Sequence, residues 1–231
     1  MPPLGPRPTH FLCIPLVTPI SQPQLQTSLS SFRDALLTNP LLSSSIPLDA
    51  VRPLGTLHLT LGVMALPTPA AVSRALAVLS GLRPREILAS LRGTRGTPTG
   101  GLALSLAGLK SMQMDVKQCS VLYAEPRDGE GVVQGFCERV RAEFVRAGVV
   151  QEDGRGLLLH ATIVNTVYVP GQGRGKKKRL VMDAEEAVQL FEGQEWCVDV
   201  PVDRIAICQM GAKKVAGVKG EEYVEEGHVD V

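Results

Sequence analysis

Two four-residue segments with the same pattern of side chains occur in this chain, one in each half. Each consists of a histidine, an apolar residue, a threonine and a second apolar residue, at residues 58–61 and 160–163. An imidazole titrates near neutral pH, so it can take or give a proton, and a threonine hydroxyl can donate a hydrogen bond to an anionic oxygen. The chain has only four histidines, so this pattern uses half of them.

Both segments lie in apolar runs that are typical of β-strands. Side chains alternate between the two faces of a strand, so His58 and Thr60 share one face, and His160 and Thr162 share one face of the second strand. The apolar residues between them point to the opposite face. The sequence therefore predicts two strands that each present a polar pair on an otherwise apolar background.

Two such pairs that face one another across a groove would be suited to phosphodiester or cyclic phosphodiester chemistry. One neutral histidine can take a proton from water or a 2′-hydroxyl, and the other, protonated, can give one to the leaving oxygen. The threonines Thr60 and Thr162 would bind the non-bridging phosphate oxygens. This chemistry needs no metal and no cofactor, and we recognise no metal-binding arrangement of carboxylates. One motif alone is commonly structural, whereas two matching copies favour function.

Composition narrows the class of protein. The chain has 231 residues, is 44% hydrophobic, and carries 24 Lys and Arg against 23 Asp and Glu, which argues against coating long nucleic acid by charge. It contains no apolar run of about 18 residues and no secretory signal pattern at its start. Its five cysteines form no CxxC pair, so we expect reduced thiols. We expect a protein of the cytoplasm, the nucleus or both.

The order of predicted elements indicates an α+β fold. Strands are predicted at 9–17, 55–64, 102–109, 119–124, 156–169, 198–210 and 223–231, and helices at 24–37, 68–80, 131–147 and 182–192. The second half repeats the plan of the first, which suggests an internal duplication. We predict one domain over residues 1–231 with two lobes, whose antiparallel-rich sheets face each other across a cleft with helices outside. Residues 1–8 are predicted to be a loose lead-in, and 171–179 a flexible basic loop.

Several further residues are candidate substrate contacts. Tyr168 lies eight positions after His160, so a regular strand would place it on the same face, where it could stack a base or pack in the core. The basic residues could reach flanking phosphates, but a nuclear localisation signal, a solvated insertion or ordinary surface positions are open alternatives. These residues are Lys176, Lys177 and Lys178 in the basic loop, and Lys213 and Lys214 after a predicted strand. His10 and His228 are not expected to be catalytic.

The chain resembles the two-histidine phosphoesterase superfamily, whose hallmark is two motifs of histidine, apolar residue, serine or threonine, and apolar residue. Within it, the chain is similar to the phosphoesterase-like domain shared by A-kinase anchor protein 7 and subunit 1 of the activating signal cointegrator complex. The similarity covers residues 9–16 (THFLCIPL), 57–63 (LHLTLGV) and 159–166 (LHATIVNT), and Asp183-Ala184 before an apolar helix.

This resemblance implies a bilobal α+β fold with His58, Thr60, His160 and Thr162 as the active tetrad. It implies a metal-independent phosphodiesterase whose substrates are 2′,3′-cyclic phosphates, 2′,5′-linked oligonucleotides or RNA 3′ ends. The alternative is a non-catalytic RNA- or nucleotide-binding module of a transcription or repair coactivator complex, and a pure interaction domain ranks last. The residues do not decide which histidine is the base.

The expected partners follow from the same resemblance. An RNA 3′ end or a small nucleotide is expected as the ligand, and a coactivator complex is an open possibility as the assembly. Cointegrator relatives carry a KH domain before this one, for which we expect no room, and the anchor protein's kinase-binding helix has no evident counterpart. We therefore expect no kinase anchoring, no membrane contact and a monomer.

Overall fold

The computed structural model describes residues 6–93, 100–151, 154–171, 180–214 and 220–231. Within these residues, helices and antiparallel strands alternate along the chain, which confirms the predicted α+β class. The strands are β1 His10–Pro15, β2 His58–Met64, β3 Ala103–Ser111, β4 Val121–Arg127, β5 Ala161–Asn165, β6 Glu195–Pro201, β7 Arg204–Gln209, β8 Lys213–Lys214, β9 Glu221–Glu222 and β10 Glu225–Asp230.

The helices are α1 Ser21–Thr38, α2 Pro40–Ser45, α3 Pro69–Gly81, α4 Pro84–Arg92, α5 Val133–Arg146 and α6 Glu185–Leu190. Three of them follow the usual rules for helix starts, because α2, α3 and α4 each have a proline in the first turn. The Thr68 side chain caps α3 by accepting a hydrogen bond from the Ala71 amide. Short 3-10 turns at Leu48–Ala50, Leu54–Thr56, Val116–Gln118 and Thr166–Tyr168 complete the described elements.

Eight strands form one sheet in the order β10-β7-β1-β2-β5-β4-β3-β6. The two strands that carry the motifs are therefore neighbours at its centre, joined antiparallel through the pair Leu59 and Ala161. The two predicted sheets correspond to the four-stranded halves on either side of this junction. They are joined edge to edge, so the motif strands lie side by side instead of facing each other across a groove.

Some predicted boundaries are wrong for identifiable physical reasons. The second motif strand ends at Asn165 because the Asn165 side chain accepts a hydrogen bond from the Val167 amide and begins a 3-10 turn. The Thr166 hydroxyl donates to the Leu180 carbonyl and holds that turn away from the sheet. The strand predicted over 198–210 is two strands, β6 and β7, separated at Val202, whose amide donates to the Leu102 carbonyl. Helix α4 was not predicted.

The apolar faces of the two motif strands are buried in the main core. Leu59, Leu61, Ala161 and Ile163 are each at most 1% exposed and belong to one hydrophobic cluster that includes helix residues. The predicted helical stripes also lie there: Leu25, Leu29, Phe32 and Leu36 of α1, and Phe136, Cys137, Val140 and Phe144 of α5. The helices thus cover the apolar face of the strands and leave the histidine face free of them.

The junction between the halves should be sensitive to loss of volume. We expect Leu59→Ala to lower the free energy of unfolding by about 2–5 kcal/mol, because it removes buried methyl groups and leaves a cavity. Val63→Ala in the same strand is the matched control, since Val63 is 45% exposed, and its effect should be about 0.5 kcal/mol or less. Urea denaturation of the two variants measures both values, and equal effects would contradict the assignment of Leu59 to the core.

Candidate active site

The register of β2 and β5 brings the two motifs together. Leu59 pairs with Ala161, and continuing this antiparallel register places His58 opposite Thr162 and Thr60 opposite His160. All four polar side chains lie on the face opposite the core and are partly exposed, whereas Leu59 and Ala161 are buried. The two histidines therefore occupy diagonal corners, with β-carbons about 7 Å apart. This spacing allows two imidazoles to flank one phosphate.

The two imidazoles are held in the same orientation. Nδ1 of His58 lies 2.8 Å from the Thr56 carbonyl oxygen, and Nδ1 of His160 lies 2.9 Å from the Leu158 carbonyl oxygen. A carbonyl can only accept, so Nδ1 carries the hydrogen and donates in each case. Nε2 of each ring is then the nitrogen that is left to exchange a proton with a ligand.

The surroundings of His58 are aromatic and crowded. Its ring centroid lies 4.8 Å from that of Phe11 and 5.2 Å from that of Tyr223. Burial lowers the pKa of His58 from 6.5 to about 4, against the opposing effect of the hydrogen bond to Thr56. The positive charges of His160 and Arg52 lower it further. His58 is therefore a neutral imidazole at physiological pH.

His160 has a more open environment than His58. Its ring lies 5.5 Å from that of Tyr123 in an edge contact, and its hydrogen bond to Leu158 is solvent-exposed, whereas that of His58 is partly buried. Tyr123 is held there because β4 pairs with β5, which sets Tyr123 beside Thr162. The two histidines thus make the same hydrogen bond to the backbone but have different side-chain neighbours.

A buried arginine lies beside the tetrad. The Arg52 amide donates to the Ile163 carbonyl oxygen at 2.8 Å, which attaches this residue to the second motif strand. Its guanidinium carbon lies 3.5 Å from the centre of the Tyr168 ring. Arg52 lowers the pKa of the nearby Tyr223 phenol and Tyr168 raises it, so the three side chains lie close together. Burial and the neighbouring Tyr168 raise the pKa of Tyr223 to about 12, so its phenol remains protonated.

Of the other predicted substrate contacts, only Tyr168 is seen beside the tetrad in the described residues. Tyr168 is 46% exposed and sits in a 3-10 turn, not on a regular strand, yet it reaches the site through Arg52. Lys213 and Lys214 are exposed in β8, and the Lys213 ammonium donates to the Gln209 side chain at 3.2 Å. Lys176, Lys177 and Lys178 lie outside the described residues.

Four residues near the histidines were missed by the sequence reasoning: Phe11, Arg52, Tyr123 and Tyr223. The strands of Phe11 and Tyr123 were predicted, but both residues lie among apolar neighbours in the chain, so alternation did not mark them as residues that meet the histidines. Arg52 precedes a proline between two 3-10 turns, and Tyr223 comes from the far end of the chain. No local pattern signals either of them.

A close backbone approach positions Tyr223. The two-stranded sheet of β8 and β9 packs on the 3-10 turn that contains Gly55, just before His58. A β-carbon on Gly55 would lie 2.9 Å from the Glu221 carbonyl oxygen and 2.5 Å from Cγ of Glu222. Only glycine therefore allows this contact, and Tyr223 follows directly after β9.

A cavity of about 140 Å³ adjoins His58 on the side of β1 and β7, and Cys13, Cys208 and Tyr223 contribute to its walls. A larger groove between α3, α4 and α5 contains none of the tetrad.

In the described part of the chain, no group of three or more His, Cys, Asp or Glu side chains is arranged to hold a metal ion. None of the described helices is long and apolar enough to cross a membrane.

Known proteins resemble this chain, some in sequence and some in fold. An uncharacterized protein of Schizosaccharomyces pombe is 25% identical over 213 residues, which cover 91% of each chain. Mouse activating signal cointegrator 1 complex subunit 1 is 26% identical over 161 residues, which cover 69% of this chain and 42% of that protein. The crystal structure of Escherichia coli LigT complexed with 3′-AMP matches with a TM-score of 0.51 and 16% identity, over 97% of this chain and 98% of LigT.

The likeness to LigT concerns the fold, since the identity is low. The family match is more specific, because residues 8–219 match the family described as the AKAP7 2′5′ RNA ligase-like domain. This match spans both motifs, the strands from β1 to β8 and the segment between two 3-10 turns that contains Arg52. It confirms the resemblance drawn from the two motifs, and the chain belongs to the AKAP7 2′5′ RNA ligase-like domain family.

Proposed function

We propose that this protein is a metal-independent phosphodiesterase for RNA-related substrates that uses His58 and His160 as a general acid–base pair. The observation that carries the proposal is the register of β2 and β5, which sets each histidine opposite the threonine of the other motif. The substrate class comprises 2′,3′-cyclic phosphates, 2′,5′-linked oligonucleotides and RNA 3′ ends. Family membership supports this class, and the match to LigT crystallised with 3′-AMP is compatible with it.

The reaction needs two proton transfers on opposite sides of one phosphorus. Nε2 of the neutral histidine takes the proton from water or a 2′-hydroxyl as its oxygen bonds to phosphorus. Nε2–H of the protonated histidine gives its proton to the leaving oxygen as the other P–O bond breaks. The hydroxyls of Thr60 and Thr162 donate to the non-bridging oxygens, whose negative charge grows in the transition state.

The surroundings of the two imidazoles support a division of roles. His58 is neutral in the free protein because burial and two neighbouring positive charges disfavour its protonated form. We therefore assign His58 as the base of the first step and the more exposed His160 as the acid. The reverse reaction exchanges the roles, since the proton that each ring has gained or lost must be returned.

Substitution of the tetrad tests the proposal. We expect His58→Asn and His160→Asn each to lower kcat by about 10²–10⁴-fold, because each removes one proton transfer. Thr60→Ala and Thr162→Ala should lower kcat/KM by about 10–100-fold through loss of one hydrogen bond to a charged oxygen. The assay uses EDTA-treated protein with nucleoside 2′,3′-cyclic phosphates, 2′,5′-oligoadenylate and a short 3′-hydroxyl RNA.

His228→Asn is the matched control, because His228 lies on β10 and bonds Glu225, apart from the tetrad. Its activity should equal that of the wild type. Wild-type rates in either catalytic histidine variant would contradict the acid–base proposal. Nucleotide binding without turnover of any of these substrates would favour the non-catalytic RNA- or nucleotide-binding module.

The neutral state of His58 also predicts a pH dependence of stability. Its pKa is 6.5 ordinarily and about 4 in the folded protein, so the unfolded chain binds more protons between these values. This contribution is fully present above pH 6.5 and is lost as the pH falls towards 4. We expect wild type to lose about 2–3 kcal/mol relative to His58→Asn between pH 7.5 and pH 4.5.

Urea denaturation of both proteins at the two pH values measures this difference. Carboxylates that titrate in the same range are common to the two proteins and cancel in the comparison. The same difference between wild type and His58→Asn at both pH values would show that the imidazole is not held neutral by the fold.

A further inference from the structure

We infer that Arg52 is the fixed cation of this site and that its guanidinium binds an anionic oxygen of the substrate phosphate. The inference rests on the proposed function for the identity of the ligand, but the residue's own surroundings carry it. Arg52 precedes the first motif by six positions and belongs to neither of the two motifs.

Arg52 is buried, and no carboxylate of the described residues pairs with it. It is 4% exposed, and its Nη2 atom has no hydrogen-bond partner. None of the ion pairs formed among the described residues includes Arg52. Two other arginines have carboxylate partners: Arg92 bonds Glu130, and Arg204 bonds Glu225. Burying an unpaired charge is costly, so an anion that reaches Arg52 would gain the interaction that the protein does not supply.

The fold holds this charge next to the tetrad. The Arg52 amide donates to the Ile163 carbonyl, one residue after Thr162, and the Arg33 side chain donates to the Arg52 carbonyl at 3.3 Å. The guanidinium lies near enough to Tyr223 to lower the pKa of its phenol, and the Tyr223 ring packs against His58. The backbone of Arg52 is thus attached to the second motif strand, and its side chain lies near a ring that contacts the first histidine.

The tetrad itself lacks a permanent positive charge. Threonine hydroxyls are neutral, and each imidazole must change its charge during the proposed reaction. A guanidinium remains charged throughout and can donate two parallel hydrogen bonds to phosphate oxygens. Arg52 therefore supplies what the four motif residues cannot, namely constant electrostatic stabilisation of the phosphate.

The Tyr168 ring covers one face of the Arg52 guanidinium. The Tyr168 ring lies 3.5 Å over the guanidinium and is 46% exposed, so it separates Arg52 from solvent on that side. We expect this ring, which belongs to the turn Thr166–Tyr168, to shift when an anion enters.

Anion binding by Arg52→Met tests the inference without any need for turnover. Calorimetry with inorganic phosphate and with 3′-AMP should show about 10–100-fold weaker binding than in the wild type, the usual effect of losing hydrogen bonds to a charged group. Arg52→Lys keeps the charge without the planar fork and should fall between the two. The matched control is Arg92→Met, because Arg92 is already neutralised by Glu130 and lies apart from the tetrad; its binding should be unchanged.

Thermal stability separates a ligand-binding role from a structural one. Without phosphate, Arg52→Met should melt at or above the wild-type Tm, because it removes an uncompensated buried charge. Added phosphate should raise the Tm of the wild type and Arg92→Met, but not that of Arg52→Met. If Arg52→Met does not fold, the same comparison is made with Arg52→Lys, which should show a smaller phosphate-induced rise than the wild type.

The possible results separate this inference from the proposed reaction. Wild-type affinity for both anions in Arg52→Met would overturn it, as would a lower Tm with unchanged affinity, which would mark a purely structural arginine. Failure of the wild type to bind either anion would also overturn it. If the wild type turns over no substrate but binds anions through Arg52, the inference stands and the enzyme proposal fails.

Discussion

The antiparallel pair of Leu59 and Ala161 joins the two halves of the sheet and sets the register of both motifs. Because side chains alternate along a strand, a shift of one residue would turn a histidine and a threonine into the core and expose the leucines. Leu59 and Ala161 are fully buried, so burial of the apolar faces opposes that shift. The placement of the tetrad is therefore a consequence of hydrophobic packing on the opposite face of the same strands.

The same local motif acquires two different chemical characters from its surroundings. Both histidines donate through Nδ1 to the carbonyl two residues earlier, so the strands orient them identically. Phe11 and Tyr223 enclose only His58, whereas His160 meets Tyr123 alone among the ring contacts of the described residues. In the proposed acid–base pair the base must begin neutral. The tertiary contacts that lower the pKa of His58 are not contained in the repeated motif.

Strand periodicity was sufficient to predict the faces of the motifs, because Leu59 and Ile163 are buried where alternation with His58 and Thr162 requires it. It could not predict that the two strands are neighbours, since alternation is the same for strands that pair and strands that face each other. The end of β5 was missed because a single side chain, Asn165, competes with the sheet for the backbone.

Among the other features that were not predicted, one had a local indication in the sequence and two had none. Pro201 ends β6 and was a local indication that the run 198–210 contains two strands, because proline cannot donate to a continuing ladder. Arg52 and Tyr223 had no such indication. Each reaches the histidines only through long-range folding, one across the second motif strand and the other from the C-terminal part of the chain.

Two features of the site are unfavourable for folding: below pH 6.5, a histidine that resists protonation, and at any pH, a buried arginine with no carboxylate partner among the described residues. They are coupled, because the charge of Arg52 is one of the reasons that the pKa of His58 is low. A phosphate bound at Arg52 would offset that charge and place a negative charge near the imidazole. His58 would then accept a proton more readily once the substrate is present than it does in the free protein. The same bound phosphate would therefore pair with the buried charge of Arg52 and raise the pKa of His58, which would make His58 a stronger base.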